Sequence, residues 1–162
     1  MPDTQIDDIK DITRQLITDI KLLSVRLSSD NISRMGFVAA LEMEEKQLNN
    51  TGIFFTSLKI EGDFPEMEDG RLVILYRIVQ EVINNIVKHS LATEIDILLS
   101  CTQDTTLLRI SDNGIGFDTN SPAGHGGAGL FNLQHRAKML NANLDIKSEK
   151  GIGTIVTIKL TK

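Results

Sequence analysis

The chain has 162 residues, 41% hydrophobic and 24% charged, which is the make-up of one compact domain or of a small domain with a helical extension. Its net charge of −5, with Lys and Arg scattered rather than clustered, argues against a nucleic-acid surface. The single cysteine, Cys101, excludes an intramolecular disulfide and fits a reducing compartment; with no signal peptide and no apolar run near about eighteen residues, the chain is not expected to enter or span a membrane by itself.

In chain order, Ile6, Ile9, Ile12, Leu16, Ile20, Leu23 and Leu27 recur at three- and four-residue steps, which predicts a long amphipathic helix from about Thr4 to Leu27. Its narrow stripe fits a helix–helix dimer seam somewhat better than packing on its own domain. After the break at Ser28 to Asn31, a second helix is expected from about Ser33 to Leu48, with Phe37, Ala40, Leu41 and Leu48 on one side. From Gly52 the texture changes. Ile53 to Ile60 reads as a strand, Glu61 to Gly70 as turns, and Leu72 to His89 as one strong helix. Glu94 to Cys101 and Thr106 to Ser111 read as strands, Asp112 to Ala128 as a long glycine-rich loop, and Gly129 to Leu140 as a helix. Leu144 to Ser148 and Thr154 to Leu160 form a final hairpin around Lys150-Gly151. The expected fold is α+β, a mixed sheet with helices on one face. A loop as long as the one after Asp112 is unusual unless it serves a site.

Four elements carry chemistry. On the helix from Leu72 to His89, the residues Glu81, Asn85, Lys88 and His89 are spaced to share one face. An acid, an amide, an ammonium and an imidazole suit a phosphate and a Mg²⁺ ion, which takes oxygen ligands and keeps several waters. The same pattern also fits a solvated face, and Asn84 competes with Asn85 for the ligand role. Next, Asp112-Asn113-Gly114-Ile115-Gly116-Phe117 directly follows a strand. A carboxylate there can accept from an exocyclic amine, while the glycines let backbone approach a flat base; a plain tight turn is the other reading. Third, Gly124-His125-Gly126-Gly127-Ala128-Gly129-Leu130 runs into a helix N-terminus, a natural phosphate cradle. It also satisfies the dinucleotide-binding glycine pattern, but follows a loop rather than a strand and lies in no βαβ unit. Fourth, Gly151-Ile152-Gly153-Thr154 sits at a hairpin tip and fits an ordinary turn as well.

Together, in this order, the four resemble the nucleotide-binding motifs of the GHKL ATPases, which include histidine kinases, type II topoisomerases, mismatch-repair ATPases and heat-shock chaperones. Glu81 to His89 looks like the N box, Asp112 to Phe117 the G1 box, Gly127 to Leu130 the G2 box, and Gly151 to Thr154 the last glycine motif. The resemblance implies a Bergerat-type α/β sandwich binding ATP and Mg²⁺. It implies that Asp112 reads the adenine amine, with Gly114, Gly116, Phe117 and Thr154 at the adenine end. Asn85 would hold the metal and Lys88 and His89 would lie near the phosphates. Gly127, Gly129 and Leu130 would hinge a lid and contact the phosphate tail. Glu81 stands where hydrolytic members keep a water-activating carboxylate, so a slow ATPase fits, as does a residue that only orients a metal-bound water.

Within the superfamily, Lys88-His89-Ser90 and the stretch Leu130 to Leu140 are most similar to the nitrate-sensor and thermosensor branch of bacterial sensor histidine kinases. Of that branch's usual run after the last lid glycine, only Arg136-Ala137 is kept. Residues 1–49 then correspond to part of a helical dimerisation domain, and residues 50–162 to the ATP-binding catalytic domain. The branch's phosphoacceptor is a histidine followed by an acidic residue. Here His89 precedes Ser90, His125 precedes Gly126 and His135 precedes Arg136. The expectation is a C-terminal fragment that phosphorylates a histidine outside itself and does not autophosphorylate. Its partners would be the phosphoacceptor domain, a response regulator and a second copy in a homodimer. The location would be cytoplasmic, with membrane attachment only through sensor segments not in this chain. An anti-sigma-factor-type serine kinase and an inactive nucleotide-binding interaction module are the alternatives.

Overall fold

A computed structural model describes residues 32–118 and 128–161. The amphipathic stripe from Ile6 to Leu27 and the lid glycines up to Gly127 lie outside the described residues. The chain opens with a short helix α1 (Ile32–Met35) and helix α2 (Phe37–Asn50), followed by strand β1 (Phe55–Glu61) and helix α3 (Asp69–Asn85). A π-helical turn (Ile86–Ser90) extends α3 into strands β2 (Glu94–Cys101) and β3 (Thr105–Asp112). Helix α4 (Ala128–Met139) and strands β4 (Asn143–Glu149) and β5 (Gly153–Thr161) complete the fold. The sheet has five strands in the order β1-β2-β3-β5-β4. β1 and β2 run parallel, and the other neighbours pair antiparallel.

Period-two alternation explains why the helices gather on one face. Ile95, Ile97 and Leu99 of β2, Leu108 and Ile110 of β3, and Val156, Ile158 and Leu160 of β5 are all buried. Their in-between neighbours Glu94, Asp96, Arg109 and Lys159 are exposed. α3 supplies the opposing layer with Leu75, Ile78, Val79, Val82 and Ile83, each nearly inaccessible. The mixed sheet with helices is the α+β architecture expected from the sequence.

Two helices differ from the sequence expectation. The one expected from Ser33 is divided at Gly36, whose φ of 85° lies in the left-handed region that favours glycine. The one expected to run unbroken to His89 widens at Ile86 into the π-helical turn. There the Ser90 hydroxyl donates to the Ile86 carbonyl at 2.8 Å and accepts the Ala92 N–H at 3.0 Å, while Leu91 turns left-handed at φ 53°. A wider turn redirects the side chains after it, and such turns recur at functional positions.

α1 and α2 belong to the same core as the sheet. Ile32, Phe37, Ala40, Leu41 and Leu48 are buried in one cluster with Leu75, Ile97 and Leu99. Phe37 stacks on Phe64 of the segment after β1, ring centroids 4.8 Å apart. α2 also closes the open edge of β1. The Asn49 side-chain amide accepts the Thr56 N–H at 2.7 Å and donates to its carbonyl at 3.0 Å, as a neighbouring strand would. Glu45 accepts the Leu58 N–H at 3.1 Å. Side chains thus stand in for the missing strand at an edge that otherwise invites pairing.

A buried polar link ties α2 to α3: the Tyr76 hydroxyl donates to Glu44 Oε1 at 2.8 Å. Burial, reinforced by the Glu44 charge, pushes the Tyr76 phenol well above its ordinary range. Tyr76→Phe removes this donor from a buried carboxylate, a loss worth about 1–2 kcal/mol. A thermal melt should show Tm falling by about 3–6 °C for a domain of this size. An unchanged Tm would mean that the bond makes no net contribution.

Candidate functional site

The cleft lies between α3, the N-terminal turn of α4 and the ends of β3 and β5. It encloses about 600 Å³, in the range of small-ligand sites. Its walls are mostly aliphatic, with Ile86, Ile110, Ile115, Leu133, Ile146 and Val156. Polar groups stand at two ends.

At one end is Asp112, the last residue of β3, only 9% exposed. Burial pushes its carboxyl above the usual carboxylate range, and the Gly114 N–H, bonded to Oδ1 at 2.8 Å, partly offsets this. Around it the backbone is packed too closely for side chains. A Cβ on Gly114 would strike the Ser90 carbonyl, one on Gly116 the Glu149 carbonyl, and one on Gly153 the Asp112 carbonyl. Gly116 and Gly153 also have positive φ, 55° and 129°. The loop after Asp112 is fastened at both sides, by the Ile115 N–H to the Ser90 carbonyl at 2.7 Å and by the Gly151 N–H to the Ile115 carbonyl at 2.8 Å. Asn113 is a strut rather than a ligand group, since its Oδ1 accepts both the Thr93 and the Glu94 N–H.

Thr154 pairs with Asp112 across the β3–β5 ladder and lines the same end. Its hydroxyl lies 2.8 Å from that of Ser148. The Ser148 hydroxyl accepts the Phe117 N–H at 2.8 Å and donates to the Gly153 carbonyl at 3.1 Å. Ser148 therefore joins β4, β5 and the loop bearing Phe117. Sequence reasoning missed it because a strand serine gains meaning only when its neighbours are known.

At the other end stand Asn85 and His89 from α3 and its π-helical extension, and Gly129 and Leu130 from α4. Gly129 sits hard on α3: a Cβ there would come within 2.8 Å of Glu81 Oε1 and 3.2 Å of Asn85 Oδ1. The structure brings Asn85, His89, Asp112, Gly116, Phe117, Gly129, Leu130 and Thr154 to one cleft, with Gly114 shaping its floor. Glu81 and Lys88 are not among the lining residues. Lys88 is exposed on the π-helical turn, and Glu81 pairs with Arg136 of α4, Nη1 to Oε2 at 3.5 Å. Gly127 lies outside the described residues. Ser90 and Lys150 line the cleft and were not singled out from sequence. Among the described residues, no group of three or more His, Cys, Asp or Glu side chains is placed to hold a metal ion. None of the described helices is long and apolar enough to cross a membrane.

Comparison with known proteins agrees with this geometry. Residues 70–162 match the family model described as histidine kinase-, DNA gyrase B-, and HSP90-like ATPase. The chain is 30% identical over 156 residues to the oxygen sensor histidine kinase NreB of Staphylococcus carnosus (strain TM300). That alignment takes in 94% of this chain but only 44% of the relative, so the chain spans less than half of that protein's length. Among solved structures, it is similar to the histidine kinase domain from the Erythrobacter litoralis EL346 blue-light activated histidine kinase. The TM-score is 0.62 at 19% identity, over 76% of this chain and 64% of that one. The histidine kinase AdeS of Acinetobacter baumannii gives a TM-score of 0.57 at 17% identity, over 94% of this chain and 76% of that one. At such identities the structural likeness establishes the fold alone. The matched model, which spans more than half of the chain and takes in the cleft's glycines, Asn85 and Asp112, shows that this protein belongs to the histidine kinase-, DNA gyrase B- and HSP90-like ATPase family.

Proposed function

We propose that this chain is the ATP-binding catalytic domain of a cytoplasmic sensor histidine kinase module. It would pass the γ-phosphoryl of ATP to a histidine on a helical domain outside this chain, and thence to an aspartate of a response regulator. The observation that carries this reading is Asp112, a carboxylate buried at the end of an apolar cleft whose neighbouring glycines leave no room for side chains. In such a place a carboxylate oxygen not engaged by Gly114 can accept the exocyclic amine of adenine. The aliphatic walls suit the faces of the base, and Gly116, Phe117 and Thr154 close the adenine end.

Asn85, His89, Gly129 and Leu130 lie where the phosphate tail would run. The first turn of α4 can offer free N–H groups to anionic oxygens. The Asn85 amide oxygen suits Mg²⁺, whose other ligands come from phosphates and water. Bound there, the metal would neutralise charge on the transferring phosphoryl group. Lys88, exposed beside this end, would approach the phosphates only from outside the cleft. The domain thus contributes positioning and charge complementarity more than covalent chemistry. Because α1 and α2 share the core of the sheet, we place the border with the dimerisation helices before Ile32 rather than near residue 50.

The test is calorimetric titration with ATP, ADP and GTP, with and without Mg²⁺. Adenine-selective binding strengthened by the metal is the expected result. A folded chain that binds none of them would overturn the reading.

A further inference from the structure

Glu81 and Arg136 form an ion pair beside the cleft that the nucleotide reading leaves without a role. Glu81 lies one helical turn before Asn85 on α3. Its Oε2 accepts from Arg136 Nη1 at 3.5 Å, and its Oε1 borders Gly129, where an added Cβ would come within 2.8 Å. Both carboxylate oxygens are therefore directed at α4. Asn85 and Gly129 line the cleft, while Glu81, which touches the helix of each, does not. The two side chains are 23% and 28% exposed, so the pair is partly solvated; it biases the carboxylate's position rather than locking it.

We propose that Arg136 is a positioning residue that holds the Glu81 carboxylate out of the cleft, so that bound ATP awaits its acceptor instead of being hydrolysed. The inference rests on the ATP reading above. In hydrolysis, a water oxygen would bond to the γ-phosphorus and the bridging bond to ADP would break. The water's proton would need a base. Glu81, four residues from Asn85, is the carboxylate that a side-chain rotation would bring towards the phosphate end. Arg136 draws the carboxylate, through Oε2, towards α4 and away from that rotation. The same contact links α4 to α3 through the carboxylate that borders Gly129.

The experiment uses the full 162-residue chain, following phosphate release from Mg-ATP alongside calorimetric ATP affinity. Arg136→Met should bind ATP within about threefold of the wild type yet hydrolyse it about tenfold faster, a modest share of what general bases supply. Arg136→Gln should show the same gain, so a folding defect in one variant leaves the other decisive. Arg136→Lys, which restores a cation, should return the rate towards wild type. Adding Glu81→Gln to Arg136→Met should abolish the gain, a dependence that a purely structural role would not produce. ATP binding with no gain in either neutral variant overturns this inference and leaves the nucleotide reading standing. A wild-type chain that binds no ATP overturns both.

Discussion

Asp112→Asn is expected to weaken ATP binding by about a hundredfold, or about 2.7 kcal/mol, while leaving the fold intact. The reason lies in what each oxygen does. Oδ1 accepts the Gly114 N–H at 2.8 Å, which leaves Oδ2 as the acceptor for the adenine amine. Asparagine can satisfy only one of the two. With its oxygen kept on Gly114, its NH₂ faces another donor, and a buried donor–donor contact forfeits more than one hydrogen bond. Stability should move the other way. The folded-state pKa of Asp112 is raised, chiefly by burial, so keeping the carboxylate ionised costs folding free energy at neutral pH. That cost is absent below the ordinary carboxylate range, grows as pH rises through the raised folded value, and is constant above it. The unliganded Asn variant should therefore melt no lower than wild type at pH 7, and any advantage should shrink on acidification. Titration calorimetry and melts at two pH values test both halves. Wild-type affinity in the variant would remove Asp112 from adenine recognition.

Gly153→Ala should be strongly destabilising for a single added methyl group. At φ 129° an L-residue is strained, and the added Cβ points into the Asp112 carbonyl of the adjacent strand. That carbonyl cannot yield without parting β3 from β5 where Asp112 faces Thr154. Strain and lost pairing together should cost about 3 kcal/mol, lowering Tm by about 6–12 °C. ATP affinity should fall as well, because Ser148 donates to the Gly153 carbonyl and so ties this strand to Phe117. Gly151→Ala supplies the contrast. Its φ is also positive, 80°, but nothing lies within 4 Å of the added atom, so only the backbone term, about 1 kcal/mol, should appear. Equal effects at the two positions would show that close approach to Asp112 is not what makes residue 153 glycine.

Most of the fold could be read from the sequence because its elements are locally consistent. β2, β3 and β5 alternate cleanly, and α3 carries apolar residues at helical spacing over its whole length. The nucleotide motifs were legible for a related reason: glycines and an acid at a strand end are needed whatever surrounds them. What depended on distant partners was hidden. Arg136 stood out in the sequence as part of a kept Arg-Ala pair, but its partner Glu81, 55 residues earlier, came into view only with the fold. Ser148 looked like any strand serine. The stripe of Glu81, Asn85, Lys88 and His89 assumed unbroken α-helical geometry; the wider turn from Ile86 to Ser90 sends His89 into the cleft and leaves Lys88 outside it. The border near residue 50 followed a change in sequence texture, whereas Phe37, Leu41 and Leu48 pack into the sheet's own core.

The pairing of Asn49 with Thr56 and of Glu45 with Leu58 bears on how such a module can be inherited. A recombination joint is tolerated only where few contacts cross it. A joint at residue 50 would give β1 an unrelated neighbour in place of the helix whose side chains complete its edge. The exchangeable cassette therefore has to carry α2 with it. Positions 45 and 49, remote from any nucleotide chemistry, are bound to the catalytic strands as one heritable unit.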